Sequence, residues 1–138
     1  LGDKTIGVAV SDTRQTVATG IKTIKRTKFQ KDLTILTQVI LGRDIRGVIL
    51  GLPKNMNGSE GPKCQSTRAF AKNISLTVPL PITFWDERLS TVAAERSLIE
   101  ANASRRRRAE VIDYVAASFI LQGVLDRVSA IKMKGLNS

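Results

Sequence analysis

Hydrophobic and polar residues along the chain fall into two kinds of segment, short extended runs and longer runs with helical spacing. Residues 5–10 alternate bulky and small side chains, and residues 17–25 form a second extended run after a polar turn. Two strands joined by a short turn predict an antiparallel pair. The apolar runs at residues 47–52 and 81–85 predict two further strands, the first covered on both faces.

The segments between these strands have the apolar spacing of amphipathic helices. One helix is predicted to end at Gly42, and its stripe consists of Phe29, Leu33, Leu36 and Ile40. Pro62 suits the first position of a second helix. The buried face of that helix would consist of Thr67, Phe70, Ala71 and Ile74. Helices that alternate with buried strands predict an α/β domain.

The last part of the chain predicts two more helices separated by a linker at residues 102–104. Ser90 or Thr91 would cap the first of them, and the second is predicted for residues 107–128. Asp113 shares one face of this helix with Ala116, Ala117, Ile120 and Val124. Because a buried acid is rarely left unpaired, Asp113 either binds a basic group or faces a cation.

Two carboxylates and an arginine, Asp86, Glu87 and Arg88, directly follow the apolar run at residues 81–85. Ligand and catalytic groups of open α/β sheets collect at the carboxyl ends of strands, so these acids suit metal or proton chemistry. They could instead be ordinary first-turn acids that favour a helix N-terminus. Arg88 either contacts a phosphate or is a structural partner of Asp86 or Glu87.

The polar loop at residues 52–62 follows the other buried strand and is rich in glycine and asparagine. Lys54 and the loop amides could hold a phosphate, although loops of this composition are more often plain connections. The four consecutive arginines Arg105, Arg106, Arg107 and Arg108 either contact nucleic acid or form a solvated linker between helices.

Composition narrows the chemistry that this chain can perform. The 138 residues suit one domain, and 22 basic against 12 acidic side chains give a formal charge of +10. A surplus of this size favours a polyanionic partner, by default nucleic acid. The absence of histidine excludes a Ser-His-Asp triad and a histidine-containing zinc site. A hydrolase would therefore depend on carboxylates, whose oxygens suit Mg²⁺ or Mn²⁺.

Cysteine usage and hydropathy bear on the compartment. The single cysteine, Cys64, excludes an internal disulfide and suits a reducing compartment. No unbroken apolar run approaches the roughly 20 residues that cross a bilayer, and no signal-peptide pattern is visible. We therefore expect a cytoplasmic protein without a membrane partner.

Four segments, in this order, resemble one family. They are Leu1-Gly2-Asp3-Lys4-Thr5-Ile6-Gly7-Val8-Ala9-Val10-Ser11-Asp12, Gly51-Leu52-Pro53-Lys54-Asn55-Met56-Asn57-Gly58-Ser59-Glu60-Gly61-Pro62, Trp85-Asp86-Glu87-Arg88-Leu89-Ser90-Thr91, and Asp113-Tyr114-Val115-Ala116-Ala117. The chain resembles the YqgF family, also called RuvX, whose members are described as Holliday junction resolvases and as pre-16S ribosomal RNA nucleases. The likeness covers nearly the whole chain.

The resemblance implies a single ribonuclease H-like domain over residues 1–138. Its mixed sheet has five strands in the order 3-2-1-4-5, the second antiparallel, with helices on both faces. Glu87 and Asp113 match the catalytic, metal-binding acids. A further aspartate is implied directly before the position of Leu1, on a first, central strand that this chain largely lacks. Lys54, Asn55, Arg88 and the four arginines would contact nucleic acid.

Three functions follow as hypotheses. The first is a two-metal endonuclease acting on structured RNA, in 5′ processing of pre-16S rRNA, or on branched DNA as a Holliday junction resolvase. The second is a nucleic-acid-binding ribosome-assembly factor without catalysis. The third is a phosphotransferase related to actin and sugar kinases, for which the chain is too short to form two lobes. The oligomeric state, monomer or homodimer, stays open.

Overall fold

Strands and helices alternate along the computed structural model, which describes residues 1–2 and 4–136. The elements in chain order are β1 (Thr5–Ser11), β2 (Ala18–Lys25), α1 (Phe29–Leu41), β3 (Val48–Leu52), α2 (Pro62–Ser75), β4 (Ile82–Asp86), α3 (Ser90–Glu100) and α4 (Arg105–Leu136). Within the described residues the strands form two two-stranded sheets, β1–β2 and β3–β4. The predicted α/β class is confirmed, whereas a continuous five-stranded sheet is not observed.

Chain contacts divide the molecule into two compact units. The first contains Leu1–Ile6 and Ile24–Arg88, and the second contains Gly7–Thr23 and Leu89–Ser138. The hairpin of β1 and β2 contributes residues to both units.

β1 and β2 form the predicted antiparallel hairpin. The Asp12 amide donates to the Val17 carbonyl at 3.1 Å, and the Arg26 amide donates to the Lys4 carbonyl at 2.9 Å. The Asp12 carboxylate closes the turn, because it accepts hydrogen bonds from the Thr16 amide, the Thr16 hydroxyl and the Val17 amide. These hydrogen bonds lower the pKa of Asp12 to about 2, and the bond from the Val17 amide has the largest effect.

β3 and β4 run parallel in the first unit, with Val48 opposite Ile82 and Leu52 opposite Asp86. Helix α2 packs against β3. It begins with Pro62 at its first position, as predicted. The predicted inner face of α2 is confirmed, since its four members are all buried: Thr67, Phe70, Ala71 and Ile74. Cys64 on the same helix is a free cysteine with no solvent exposure.

The second unit contains α3 and α4, which pack against each other. The predicted cap of α3 is wrong, because Leu89 occupies the cap position and no side chain caps the helix. Helix α4 is longer at both ends than the predicted residues 107–128. The Ser104 hydroxyl accepts a hydrogen bond from the Arg107 amide at 3.1 Å and thereby caps α4. The helix consequently begins at Arg105, the first of the four arginines.

Among the described residues, α4 is the one segment long and apolar enough to cross a membrane, and little of it is buried. The apolar residues of α4 are spread over a window and are not joined in one unbroken run, so this finding does not contradict the absence of a long apolar run in the sequence. A single helix of this kind is a weak indication. The contacts of α4 with β1 and β2, described below, are typical of a helix packed on a sheet.

Candidate active site

The carboxyl ends of β3 and β4 place the acidic stretch beside the polar loop of residues 53–61. The Glu87 amide donates to the Leu52 carbonyl at 3.1 Å, so the chain stays paired one residue beyond β4. Because parallel strands end at the same edge, residues that follow β3 and residues that follow β4 lie close together. The parallel pairing of β3 with β4 thus brings these two segments to one edge of their sheet.

Arg88 joins the two segments. Its Nε and Nη2 both lie 2.8 Å from Asp86 Oδ2, its own amide donates to Asp86 Oδ1 at 3.0 Å, and its Nη1 donates to the Met56 carbonyl at 3.1 Å. Hydrogen bonds from Arg88 lower the pKa of Asp86. The interpretation of Arg88 as a structural partner of Asp86 is confirmed, and Asp86 is consequently neutralised within the protein.

Asn55 shapes the polar loop from within. Its side-chain amide donates to Ser59 Oγ at 3.0 Å, and its carbonyl accepts the Gly58 amide at 2.8 Å. Gly58 has a φ of 86°, which suits a residue without a Cβ. These contacts give Asn55 a role in the turn itself. Lys54 is half-buried, and its charge helps to lower the pKa of Asp86.

Glu87 differs from its neighbour. Its side chain is half-buried, and no other residue in the described part of the chain forms a hydrogen bond or salt bridge with its carboxylate. Burial raises the pKa of Glu87, and the negative charge of Asp86 adds to this effect. The ionised carboxylate therefore has an unfavourable environment that a bound cation would relieve.

Asp113 lies in the second unit, on the face of α4 that meets the hairpin. An added Cβ at Gly7 would overlap the Asp113 carbonyl, and one at Gly20 would lie 2.6 Å from the Tyr114 carbonyl oxygen. Two glycines on neighbouring strands thus let the backbone of α4 approach the hairpin at Asp113. The side chain of Asp113 is half-buried, as its position on the helix predicted.

The predicted metal-binding role of Glu87 and Asp113 rests on the type of donor. Glu87 offers carboxylate oxygens that fit Mg²⁺ or Mn²⁺, and Asp113 offers the same chemistry from the other unit. In residues 1–2 and 4–136 there is no group of three or more acids or cysteines that could hold a metal ion. The convergence of Glu87 and Asp113 stays a prediction.

The four consecutive arginines form the first turn of α4 and are not a linker. Arg108 is half-buried, donates to Glu95 Oε1 at 3.0 Å and thereby ties α4 to α3. Arg106 and Arg107 form longer contacts of 3.7 and 3.5 Å with Glu110. Arg105, Arg106 and Arg107 remain exposed, so these three can still contact a ligand.

An ion pair between Arg68 and Glu60, beside the polar loop, is not predicted by the sequence. Arg68 on α2 forms two hydrogen bonds of 2.8 and 2.9 Å with Glu60, and its guanidinium lies 4.8 Å from the centre of the Phe84 ring. Hydrogen bonds from Arg68 lower the pKa of Glu60. Glu60 lies outside the helix, so its spacing from Arg68 carries no recognisable signal in the sequence.

Comparison with known proteins matches these segments to one family. The family model described as "RuvX: Holliday junction resolvase" matches residues 1–127. A protein of Ruegeria sp. (strain TM1040) is 66% identical over 131 residues, which are 95% of this chain and 83% of that protein. A protein of Rhodobacter capsulatus is 64% identical over 129 residues, 94% of this chain and 81% of that protein. Both are named "Putative pre-16S rRNA nuclease".

Proposed function

Because the chain belongs to the RuvX family of Holliday junction resolvases, we propose that it is a metal-dependent endonuclease that hydrolyses phosphodiester bonds. The observation that carries the proposal is Glu87, a half-buried carboxylate with a raised pKa at the carboxyl edge of a parallel strand pair. Asp86, its neighbour, is held by Arg88 and is not needed as a ligand.

Glu87 and Asp113, with the aspartate that the resemblance implies before Leu1, would hold two Mg²⁺ or Mn²⁺ ions. Such ions activate a water molecule and stabilise the leaving oxygen of the phosphodiester. Arg88 holds the polar loop against the end of β4, so its contribution is to fix the position of Lys54 and the loop amides. Lys54 and the exposed arginines of α4 would attract backbone phosphates.

Structured RNA is the favoured substrate, in 5′ processing of pre-16S rRNA during ribosome biogenesis. The names of the relatives support this choice. The family description supports branched DNA as the second candidate. Cleavage of a precursor rRNA fragment and of a synthetic four-way junction, measured side by side under the same conditions, would discriminate between them.

The sheet order, the oligomeric state and the cellular compartment belong to the same proposal. In the sheet order 3-2-1-4-5 that the resemblance implies, β1–β2 and β3–β4 would be the two outer strand pairs, and the observed pairings are consistent with this order. A cytoplasmic monomer or homodimer fits an enzyme of ribosomal RNA.

A glutamine at position 87 tests the proposal directly. In the whole protein, Glu87→Gln should lower the cleavage rate at least about 100-fold and abolish Mn²⁺ binding in calorimetry, because the ligand charge is lost. It should melt no lower than the unsubstituted protein, since a buried charge has been removed.

Glu100→Gln is the matched control, because Glu100 is an exposed acid on α3. It should cleave at the unsubstituted rate. Unchanged cleavage by the Glu87→Gln variant would reject the nuclease mechanism. Nucleic-acid binding without any Mn²⁺ binding would instead favour a non-catalytic assembly factor.

A further inference from the structure

Half of the net charge of the protein lies in ten consecutive residues. Residues 22–31 contain five basic side chains and no acid, whereas the whole chain has a net charge of +10. The other dense run of cations, at residues 105–108, is close to acids and forms salt bridges with Glu95 and Glu110. The segment at residues 22–31 is therefore the larger uncompensated concentration of positive charge.

This segment is firmly anchored from Arg26 onward. The Arg26 guanidinium donates to the Gly2 carbonyl at 2.7 Å and lies 5.9 Å from the centre of the Phe70 ring. The buried carboxylate of Asp32 accepts the Thr27 amide at 3.1 Å. Phe29 packs edge-on against Phe70, with ring centroids 5.7 Å apart. The connection between β2 and α1 consequently has a defined conformation.

Three lysines of this segment, Lys25, Lys28 and Lys31, are exposed. Within the described part of the chain, none of the three forms a salt bridge. Lys25 ends β2, Lys28 occupies the cap position of α1, and Lys31 lies in the first turn of that helix. We define these three residues as the lysine triplet.

Fold stability does not account for two members of the lysine triplet. Helix caps favour Ser, Thr, Asp or Asn, and the positive end of the helix dipole disfavours cations in the first turn. Lys28 nevertheless occupies the cap without a side-chain hydrogen bond, and Lys31 follows one turn later. Lys28 and Lys31 therefore lower the stability of α1. A role of their charges in binding would explain their presence.

We propose that the lysine triplet binds the phosphodiester backbone of the nucleic-acid substrate. Residues three apart on a helix lie about 5–6 Å from each other at Cβ, so Lys28 and Lys31 can neutralise neighbouring phosphates. An ammonium group binds phosphate as a point charge and reads no base. The lysine triplet therefore supplies affinity without sequence preference. This inference rests on the proposed function, because it takes nucleic acid as the partner.

The test is the salt dependence of binding. The whole protein and a variant carrying Lys25→Gln, Lys28→Gln and Lys31→Gln are titrated with a duplex RNA and with a duplex DNA of the same sequence. The logarithm of Kd is plotted against the logarithm of the KCl concentration. Loss of three phosphate contacts should reduce the slope by about 2–3 and raise Kd roughly 10- to 100-fold at moderate salt.

A second triple variant, Lys63→Gln, Lys72→Gln and Lys132→Gln, is the matched control. It removes the same charge from three other exposed lysines. Its slope should differ from that of the unsubstituted protein by no more than about 1. The lysine-triplet variant should also melt no lower than the unsubstituted protein, because cations leave the N-terminus of α1. A loss of binding caused by unfolding would thereby be recognised.

The outcomes are distinguishable. If the unsubstituted protein binds and both triple variants have equal slopes, the lysine triplet is not a contact surface, and the proposed function stands. If the unsubstituted protein binds neither duplex nor junction, the proposed function and this inference both fail. Loss confined to RNA or to DNA identifies which backbone the lysine triplet contacts.

Discussion

At the scale of single residues, two glycines control how closely α4 lies against the hairpin. Gly7 on β1 and Gly20 on β2 both face the backbone of residues 113–114, and neither has room for a methyl group. Because the closest overlap at each glycine is with a backbone carbonyl oxygen, the helix would have to move. Asp113 would move with it, so these glycines position a candidate metal ligand.

Gly20→Ala should destabilise the protein by about 1–3 kcal/mol, the usual cost of overpacking. Urea denaturation followed by circular dichroism measures this change. Gly135→Ala is the control, because an added Cβ at Gly135 meets nothing within 4 Å. That substitution should be neutral or stabilising, since alanine favours a helix. Equal stability of both variants would contradict the close approach at Gly20.

Asp12 provides a residue-scale test of the hairpin turn. Its pKa of about 2 lies below the ordinary 3.8 because three hydrogen bonds favour the ionised carboxylate. A lowered pKa means that the folded state gains stability from Asp12 above about pH 4 and loses it as the pH falls toward 2.

Carboxyl chemical shifts recorded by NMR during an acid titration should give this midpoint for Asp12. Thr16→Val removes the donor hydroxyl and should raise the pKa of Asp12 toward 3.8. An ordinary pKa for Asp12 in the unsubstituted protein would show that the turn is not closed by this carboxylate in solution.

At the scale of elements, the junction between α3 and α4 is built by local backbone chemistry. Asn102 adopts a φ of 59°, and its amide donates to the Ile99 carbonyl at 3.0 Å. The Ala103 amide donates to the Leu98 carbonyl, which completes the usual termination of a helix by a left-handed residue. Ser104 then starts α4 by capping it.

Ser104→Ala should cost about 1 kcal/mol of stability, because the Arg107 amide loses its acceptor. Thermal melting of the variant measures the loss. Ser75→Ala is a suitable comparison, since the Ser75 hydroxyl only donates back to the Lys72 carbonyl at the end of α2. An equal loss in both variants would argue against a specific capping role for Ser104.

Lys28→Ser should have the opposite effect and stabilise the protein by about 0.5–1 kcal/mol, because serine can cap α1 and the unfavourable charge disappears. Urea denaturation measures the gain. Lys72→Ser is the control, since Lys72 lies in the last turn of α2, where a cation is favourable. A gain in the control as large as that at position 28 would refute the capping argument.

The elements themselves were largely predictable from the sequence. Alternation and helical spacing predicted all four strands and four helices, and Pro62 marked the start of α2 because its ring fits only the first turn. The sequence predicts the start of α4 two residues too late, since four arginines without an acid resemble a linker more than a helix N-terminus.

The candidate site was predictable only in part. The sequence places residues 53–61 and Glu87 each at the end of a buried strand, but their common edge depends on the parallel pairing of β3 with β4. Whether Arg88 pairs with Asp86 or Glu87 was undecidable, since the two acids are adjacent and only side-chain directions separate them. The partnership of Glu60 with Arg68 depends on a loop conformation that residue spacing does not encode.

At the scale of the whole molecule, charge and metal chemistry are expected to act together. A protein with a net charge of +10 attracts polyanions from every side, but cleavage requires cations held by its few acids. The two surfaces proposed above divide these tasks, since the lysine triplet supplies attraction and Glu87 supplies a ligand for metal.

Added Mn²⁺ should raise the melting temperature of the whole protein, because an ion that binds only the folded state stabilises it. At a free concentration of 100 times Kd the gain is about 2.7 kcal/mol. Differential scanning calorimetry with and without EDTA measures this shift. The Glu87→Gln variant should show little of it, whereas Glu100→Gln should behave as the unsubstituted protein does. An identical shift in both variants would exclude Glu87 as a ligand.

Because Cys64 is fully buried, its chemical reactivity reports local opening of the surrounding structure. As the sole thiol in the chain and one without solvent contact, it can react with an alkylating reagent only while its surroundings transiently open. The labelling rate under native conditions thus converts directly into an opening free energy for the first compact unit, and no engineered probe is required.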